Sequence, residues 1–123
     1  MGAITLLVQD DVGGLEVLKD GEWVLVEPLK DAIVVILSDQ MEIISNGQYI
    51  SAQHRATVNT NCARLSVATF YDPSSPGRYS LLPTRQRGFP CALQRVVYGD
   101  YVSSWYGTGP DGRRNLDALL IQP

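Results

Sequence analysis

Residues 48–71 read QYISAQHRATVNTNCARLSVATFY, and this stretch decides both the fold and the candidate chemistry. Two runs rich in β-branched and aromatic residues, 49–58 and 64–71, flank the polar sequence NTNC. Such runs separated by turn-forming residues are typical of antiparallel strands. The first run contains His54, the only histidine of the chain, and the second begins with Arg64.

Shorter apolar runs lie before this stretch. They occupy residues 4–8, 15–18, 23–27 and 32–37. An Asp-Gly pair at 20–21 predicts a tight hairpin between the second and third of them. Strands at this spacing predict a mainly β fold, a sandwich or a barrel. After residue 73 prolines and glycines become frequent, and a helix is predicted over 98–106. We therefore divide the chain into a β core, 1–73, and a C-terminal loop and helical extension, 74–123.

Charge and cysteine content restrict the partners. The net charge of −3 and the pI near 4.9 argue against nucleic acid or an anionic membrane as the main partner. Residues 51–123 nevertheless carry eight of the ten basic residues, which favours an acidic small molecule in that part. Cys62 and Cys91 form no CxxC motif and are interpreted as small structural residues. With no signal peptide or membrane span in the sequence, we expect a cytoplasmic protein.

Side-chain alternation in the run 64–71 predicts a cavity wall. A period of two places Arg64, Ser66, Ala68 and Phe70 on one face. Leu65 and Val67 then belong to the opposite face, which requires an apolar cover, and the run 32–37 is apolar on both faces. The rest of the chain supplies little amphipathic helix for that cover. We therefore expect part of a larger fold, with self-association through uncovered strands as a further expectation.

The chemistry of this wall depends on His54 and Arg64. A hairpin through NTNC would place them on neighbouring strands, and their equal parity would direct both side chains into one cavity. Imidazole is a good ligand for iron, zinc or copper. The planar guanidinium grips a carboxylate through two bonds, to which a serine hydroxyl adds another. Taken singly these signals are weak, because a lone histidine on a strand is more often a surface residue.

Several segments together resemble a known family. DQMEIISNGQYISAQHR and ARLSVATFYDPS are similar to the C-terminal half of the plant iron(II)- and 2-oxoglutarate-dependent dioxygenases. GGLEVLKDGEWVLVEP and the tail VVYGDYVSSWYGTGPDGRRNLDALL resemble the same family, especially its flavonoid and other specialised-metabolite oxygenases. The resemblance covers nearly the whole chain. It implies a double-stranded β-helix, or jelly roll, that is incomplete here and carries a C-terminal helical tail.

The resemblance also implies roles for individual residues. His54 stands where the family has the distal histidine of its iron site. Arg64 and Ser66 stand where the family binds the far carboxylate of 2-oxoglutarate, and Phe70 where members often contact substrate. The implied cofactors are Fe(II), 2-oxoglutarate as cosubstrate, and ascorbate. The implied activity is hydroxylation or desaturation of a small specialised metabolite, with 2-oxoglutarate converted to succinate and CO2.

One departure from the family lies at the start of the chain. The other two iron ligands of the family come from an H-x-D motif just before the strand that here reads ITLLVQDD. By that register Met1 follows the aspartate directly, and Asp10 and Asp11 match a turn rather than ligands. We therefore expect a truncated oxygenase without 2-oxoglutarate turnover of its own. It would be a fragment, the product of a mispredicted gene start, or a degenerate copy.

Three classes of function remain open from the sequence. The first is an oxygenase by descent, inactive as this chain. The second is a non-catalytic jelly-roll module that binds small carboxylates or pairs with a full-length homologue. The third is a cupin-like metalloprotein, which is disfavoured because cupin sites usually need several histidines. Metal titration with and without 2-oxoglutarate separates the first two, and metal content after purification tests the third.

Overall fold

The computed structural model describes residues 2–72, 80–81, 92–108 and 115–121. Its first part contains six strands and one short helix. In chain order they are β1 Ile4–Gln9, β2 Leu15–Lys19, β3 Glu22–Leu25, β4 Val34–Leu37, α1 Asp39–Ile44, β5 His54–Ala56 and β6 Ser66–Tyr71. They form two three-stranded antiparallel sheets, ordered β4-β1-β6 and β3-β2-β5. The mainly β architecture expected from the sequence is therefore confirmed.

The hairpin between β2 and β3 is the one predicted from the Asp-Gly pair. Asp20 and Gly21 both have positive φ, 52° and 86°, as a type I′ turn requires. The register pairs Lys19 with Glu22 and Leu18 with Trp23 on either side of them. Glycine tolerates this conformation without steric cost, and aspartate is among the residues that adopt it most readily.

The hairpin predicted through NTNC is wrong. Strand β5 pairs with β2, and β6 pairs with β1, so His54 and the run beginning at Arg64 belong to different sheets. The nine residues between Ala56 and Ser66 exceed the usual two to five of a hairpin loop. β6 instead pairs with β1 along its whole length, from Ile4 opposite Tyr71 to Gln9 opposite Ser66.

Helix α1 was missed in the sequence, where its residues read only as a short segment ending in a turn. Ser38 precedes it in extended conformation, and Asn46 and Gly47 follow it with positive φ. Buried Glu42 accepts a hydrogen bond from the backbone N–H of Ser51. That bond ties the residues after the turn to the helix, so the predicted strand 49–58 is reduced to His54–Ala56.

The C-terminal residues form a second apolar core against α1. The predicted helix is present as α2, Tyr98–Thr108, after the two short strands β7 Ser80–Leu81 and β8 Val96–Val97. A 3-10 helix spans Asn115–Leu119. The core joins residues from both parts of the chain: Ile43, Leu93, Tyr98 and Leu116. Most of the proline-rich connection after residue 73, together with Cys91, lies outside the described residues.

An apolar face of the β4-β1-β6 sheet is open to solvent. Val35 and Val67 are 58% and 62% exposed, and Leu65 is 71% exposed. Val35 lies opposite Leu6, and Val67 opposite Val8, so these side chains share one face. The exposure expected for this face is confirmed, whereas the opposite face of β4 is covered at Ile36. Within the described ranges no helix has the length and apolar character needed to cross a membrane.

Two tyrosines fasten α2 to the β core. The buried hydroxyl of Tyr98 donates to Asp72 at 2.7 Å and accepts from the backbone N–H of Gly2 at 3.3 Å. Tyr101 donates to Asp39 at the start of α1. Burial, and then the hydrogen bond to Asp72, raise the pKa of Tyr98 to about 12.

This pKa predicts alkaline loss of stability. Because the folded value near 12 exceeds the ordinary 10, the contribution is complete below pH 10 and is lost as the pH rises towards 12. It amounts to no more than ~3 kcal/mol. Urea unfolding between pH 8 and 12 should show a steeper alkaline decline for wild type than for Tyr98→Phe. Exposed Tyr106 provides the control, Tyr106→Phe, which should behave as wild type. Equal declines in wild type and Tyr98→Phe would contradict the assignment.

Candidate functional site

Arg64 is held at the start of β6 by two neutral acceptors. One terminal nitrogen of its guanidinium, Nη1, donates to the hydroxyl of Ser66 at 3.0 Å. The other, Nη2, donates to the side-chain oxygen of Gln9 at 2.9 Å. Gln9 lies directly opposite Ser66 in the β1–β6 register, so strand pairing brings both acceptors to the guanidinium.

Two hydrogen-bond donors of the same cluster are not used within the described part of the chain. Nε of Arg64 and Nε2 of Gln9 are buried and have no partner among the described residues. Both acceptors of the guanidinium are neutral, and no ion pair with a carboxylate is seen for it among the described residues. Buried donors without acceptors cost free energy, and a planar fork matches a carboxylate. The arrangement therefore suits an anion, and the residues fit the carboxylate of 2-oxoglutarate.

Asp10 fixes the backbone between Arg64 and Ser66, the two residues that we call the clamp. Its backbone N–H donates to the carbonyl of Leu65 at 3.0 Å, and its carboxylate accepts from the N–H of Leu65 at 2.6 Å. The other carboxylate oxygen accepts from the N–H of Val12. Asp10 thus closes the turn after β1 and holds the residue between Arg64 and Ser66, which agrees with its interpretation as a turn residue.

His54 lies exposed on the edge strand β5, opposite Val17 of β2. Its Nδ1 is 3.0 Å from the carbonyl oxygen of Ala52. A carbonyl oxygen can only accept, so Nδ1 carries the proton and Nε2 presents a lone pair. This is the tautomer in which a histidine, oriented by its other ring nitrogen, binds a metal.

The fold connects Arg64 to the sheet that carries His54. The side chain of Arg64 lies close beside Gly14, the residue before β2. Gly14 is bonded in turn to Thr57, which follows β5. Arg64 therefore reaches from β6 to the end of the β2–β5 ladder. That the imidazole and the guanidinium share one cavity stays a prediction.

Phe70 is placed as its parity predicted. It lies opposite Thr5 in a register where Ser66 lies opposite Gln9, so both project from the same face of β6. Its side chain is 58% exposed. A contact with substrate at Phe70 stays a prediction.

His54 remains the single candidate for an iron ligand among the described residues. In the part of the chain that the structure describes, no three His, Cys, Asp or Glu residues come together as a metal site. His54 fits the role of a single ligand, because its free nitrogen is exposed and its ring is oriented by a backbone carbonyl.

Gln9 is the site residue that sequence reasoning missed. The sequence patterns assign it no role, because it lies between the apolar run 4–8 and the turn at Asp10. Its parity matches the inner face of β1, but only the pairing of β1 with β6 reveals that it meets Arg64. The available signal was an amide in phase with Thr5 and Leu7, and it is a weak one.

Sequence comparison identifies relatives over this same region. Residues 1–73 match the model of the 2OG-Fe(II) oxygenase superfamily. Protein DMR6-like oxygenase 2 of Arabidopsis thaliana is 38% identical over 119 residues, covering 94% of this chain and 34% of that protein. Oxoglutarate-dependent flavonoid 7-O-demethylase 1 of Ocimum basilicum is 38% identical over 123 residues, covering 98% and 33%. The chain thus spans about a third of the length of these curated relatives.

Solved structures agree with the sequence relatives. The crystal structure of JOX2 in complex with 2OG, Fe and JA superimposes with a TM-score of 0.86 at 31% identity, covering 98% of this chain and 36% of that one. The rice dioxygenase for auxin oxidation gives 0.82 at 29% identity, covering 98% and 42%. These neighbours confirm the jelly-roll fold, and Fe(II) and 2-oxoglutarate are the cofactors of the family. With more than half of its length matched by the family model, the chain belongs to the 2OG-Fe(II) oxygenase superfamily.

Proposed function

We propose that this chain forms part of the active site of an Fe(II)- and 2-oxoglutarate-dependent oxygenase acting on a small specialised metabolite. The observation that carries the proposal is the guanidinium of Arg64, held by the neutral acceptors Ser66 and Gln9 without an ion pair among the described residues. When bound, Fe(II) and 2-oxoglutarate supply the oxidation: O2 is consumed, 2-oxoglutarate yields succinate and CO2, and the substrate is hydroxylated or desaturated.

The residues of the chain divide this work among them. Arg64 and Ser66 bind the far carboxylate of 2-oxoglutarate and fix its orientation, while Gln9 holds the guanidinium in place. His54 would hold Fe(II) through the lone pair of Nε2, with its ring oriented by the carbonyl of Ala52. Phe70 lines the wall that the substrate contacts. Ascorbate would keep the iron in its Fe(II) state and take no part in the balance of the reaction; its involvement is implied by the family resemblance.

The proposed substrate class rests on the relatives. One is a flavonoid 7-O-demethylase, and another, 46% identical over 104 residues, is a 1-aminocyclopropane-1-carboxylate oxidase of Oryza sativa. Both names denote enzymes that act on small molecules, and we propose a flavonoid-type metabolite as the substrate. A cytoplasmic location is supported by the exposed free thiol of Cys62, because exposed thiols persist in reducing compartments.

Catalysis is tested in a chimera. This chain should replace the matching part, 42% of the length, of the rice dioxygenase for auxin oxidation, to which it is similar in fold. With Fe(II), ascorbate and 2-oxoglutarate the chimera should release succinate, and His54→Ala should abolish that release, because a facial site cannot lose a ligand. Arg55→Lys, altered at an exposed neighbour of His54, should retain it. A chimera that folds and binds 2-oxoglutarate without turnover would instead favour the non-catalytic binding module.

The clamp is tested by conservative replacement of Arg64. Arg64→Lys keeps the charge but loses the fork, so 2-oxoglutarate should bind the chimera roughly tenfold more weakly or worse. Arg64→Ala should cost more, on the order of 2–5 kcal/mol, because the carboxylate is left without its partner. Calorimetry with anaerobic Fe(II) measures both affinities, with Arg55→Lys as the matched control. Unchanged affinity in Arg64→Ala would show that 2-oxoglutarate binds elsewhere.

Self-association is expected for the 123-residue chain on its own. Its exposed face bears Leu65, Val67 and Val35, and apolar patches of several hundred Å² are normally interfaces or aggregation sites. Sedimentation should detect oligomers, and Val67→Lys should reduce them because it places a charge on that face. Val58→Lys, at an exposed residue outside the strands, is the matched control. A monodisperse wild-type monomer would contradict the expectation.

A further inference from the structure

Gly14 lies at the point where Arg64 crosses between the sheets. Its backbone has φ +156°, and a Cβ built on it would approach Cδ of Arg64 at 3.0 Å and Nε at 3.4 Å. The same Cβ would lie 2.9 Å from the carbonyl oxygen of Thr57. Any side chain at residue 14 would therefore meet Arg64 on one side and backbone on the other.

The two neighbours differ in their freedom to move. The backbone of Thr57 is fixed to Gly14, because the carbonyl of Gly14 accepts from the N–H of Thr57 at 2.7 Å and from its hydroxyl at 3.2 Å. The arginine side chain is the flexible partner. When it moves, however, its bonds to Ser66 and Gln9 are strained or lost, because these bonds hold both terminal nitrogens at about 3 Å.

We propose that Gly14 is a positioning residue of the carboxylate clamp, whose missing side chain leaves the path along which Arg64 reaches its two acceptors. The adjacent Gly13 does not share this role. A Cβ there would meet only the two methyl carbons of Leu25 at 3.6 Å, an ordinary contact. The pair of neighbouring glycines thus supplies a test residue and a matched control. The consequence for ligand binding rests on the proposed function, whereas the positioning itself does not.

The positioning is tested by a double-mutant cycle on the full 123-residue chain. Urea unfolding is compared for wild type, Gly14→Ala, Arg64→Ala and the double variant, with Gly13→Ala as control. Because residues in contact are not additive, Gly14→Ala should cost roughly tenfold less in the unfolding equilibrium constant once Arg64 is absent. In the 15N spectra of the labelled chain, Gly14→Ala should also shift the Nε–H signal of Arg64, and Gly13→Ala should leave it in place.

The outcomes separate this proposal from a purely structural role. Additive costs with an unmoved Nε–H signal would overturn it, since the requirement for glycine would then come from Thr57 alone. If Gly14→Ala unfolds the chain, rescue by Arg64→Ala supports the proposal, and failure of that rescue overturns it.

Measuring 2-oxoglutarate binding to the chimera tests whether the positioning of Arg64 affects the ligand. In the chimera, Gly14→Ala should weaken 2-oxoglutarate binding roughly tenfold, and in the Arg64→Ala background it should weaken it no further. Additive losses would overturn the proposal. Coupling in the unfolding cycle without any 2-oxoglutarate binding to wild type would support the positioning role and overturn the proposed clamp instead.

Discussion

The pairing of β1 with β6 is the constraint on which the rest of the site depends. Its six-residue register sets Gln9 opposite Ser66, which gives Arg64 its two acceptors. At the same end Asp10 holds the N–H and the carbonyl of Leu65. Because side chains alternate along a strand, a slip of one residue would turn this face of β6 away from the site. The register therefore fixes the chemistry as well as the fold.

The C-terminal extension stabilises the beginning of this same ladder. Tyr98 bonds to Asp72, directly after β6, and to the N–H of Gly2, two residues before β1. The backbone N–H of Ala3 donates to the carbonyl of Tyr71 at the same end. The tail is thus tied to both paired strands at the end away from Arg64. The continuous pairing of β1 with β6 connects this end of the ladder to the end that carries the clamp.

Local pattern was sufficient for part of the structure. The Asp-Gly hairpin and the shared face of Arg64, Ser66 and Phe70 follow from turn chemistry and side-chain periodicity. The helix predicted over 98–106 is present and extends two residues further, to Thr108. Strand partners did not follow, because alternation fixes which face a side chain occupies but not which strand lies beside it. The error at NTNC arose there, and so did the failure to see Gln9 and Gly14. Both meet Arg64 only through contacts distant in sequence. Helix α1 was missed because six residues are too few to show a helical period.

The choice of neutral acceptors around Arg64 explains how this cluster can serve an anion. A glutamate in place of Gln9 would hold the guanidinium more firmly, since charge-assisted bonds are about twice as strong as neutral ones. It would also cancel the charge that attracts a carboxylate and repel the ligand directly. An amide and a hydroxyl accept the same N–H groups and leave the charge in place. The hydrogen bonds within the cluster are therefore weaker than an ion pair would be, and the positive charge stays available to a ligand. Gly14 adds to this arrangement, because a guanidinium held by two modest bonds depends on an unobstructed path for its side chain.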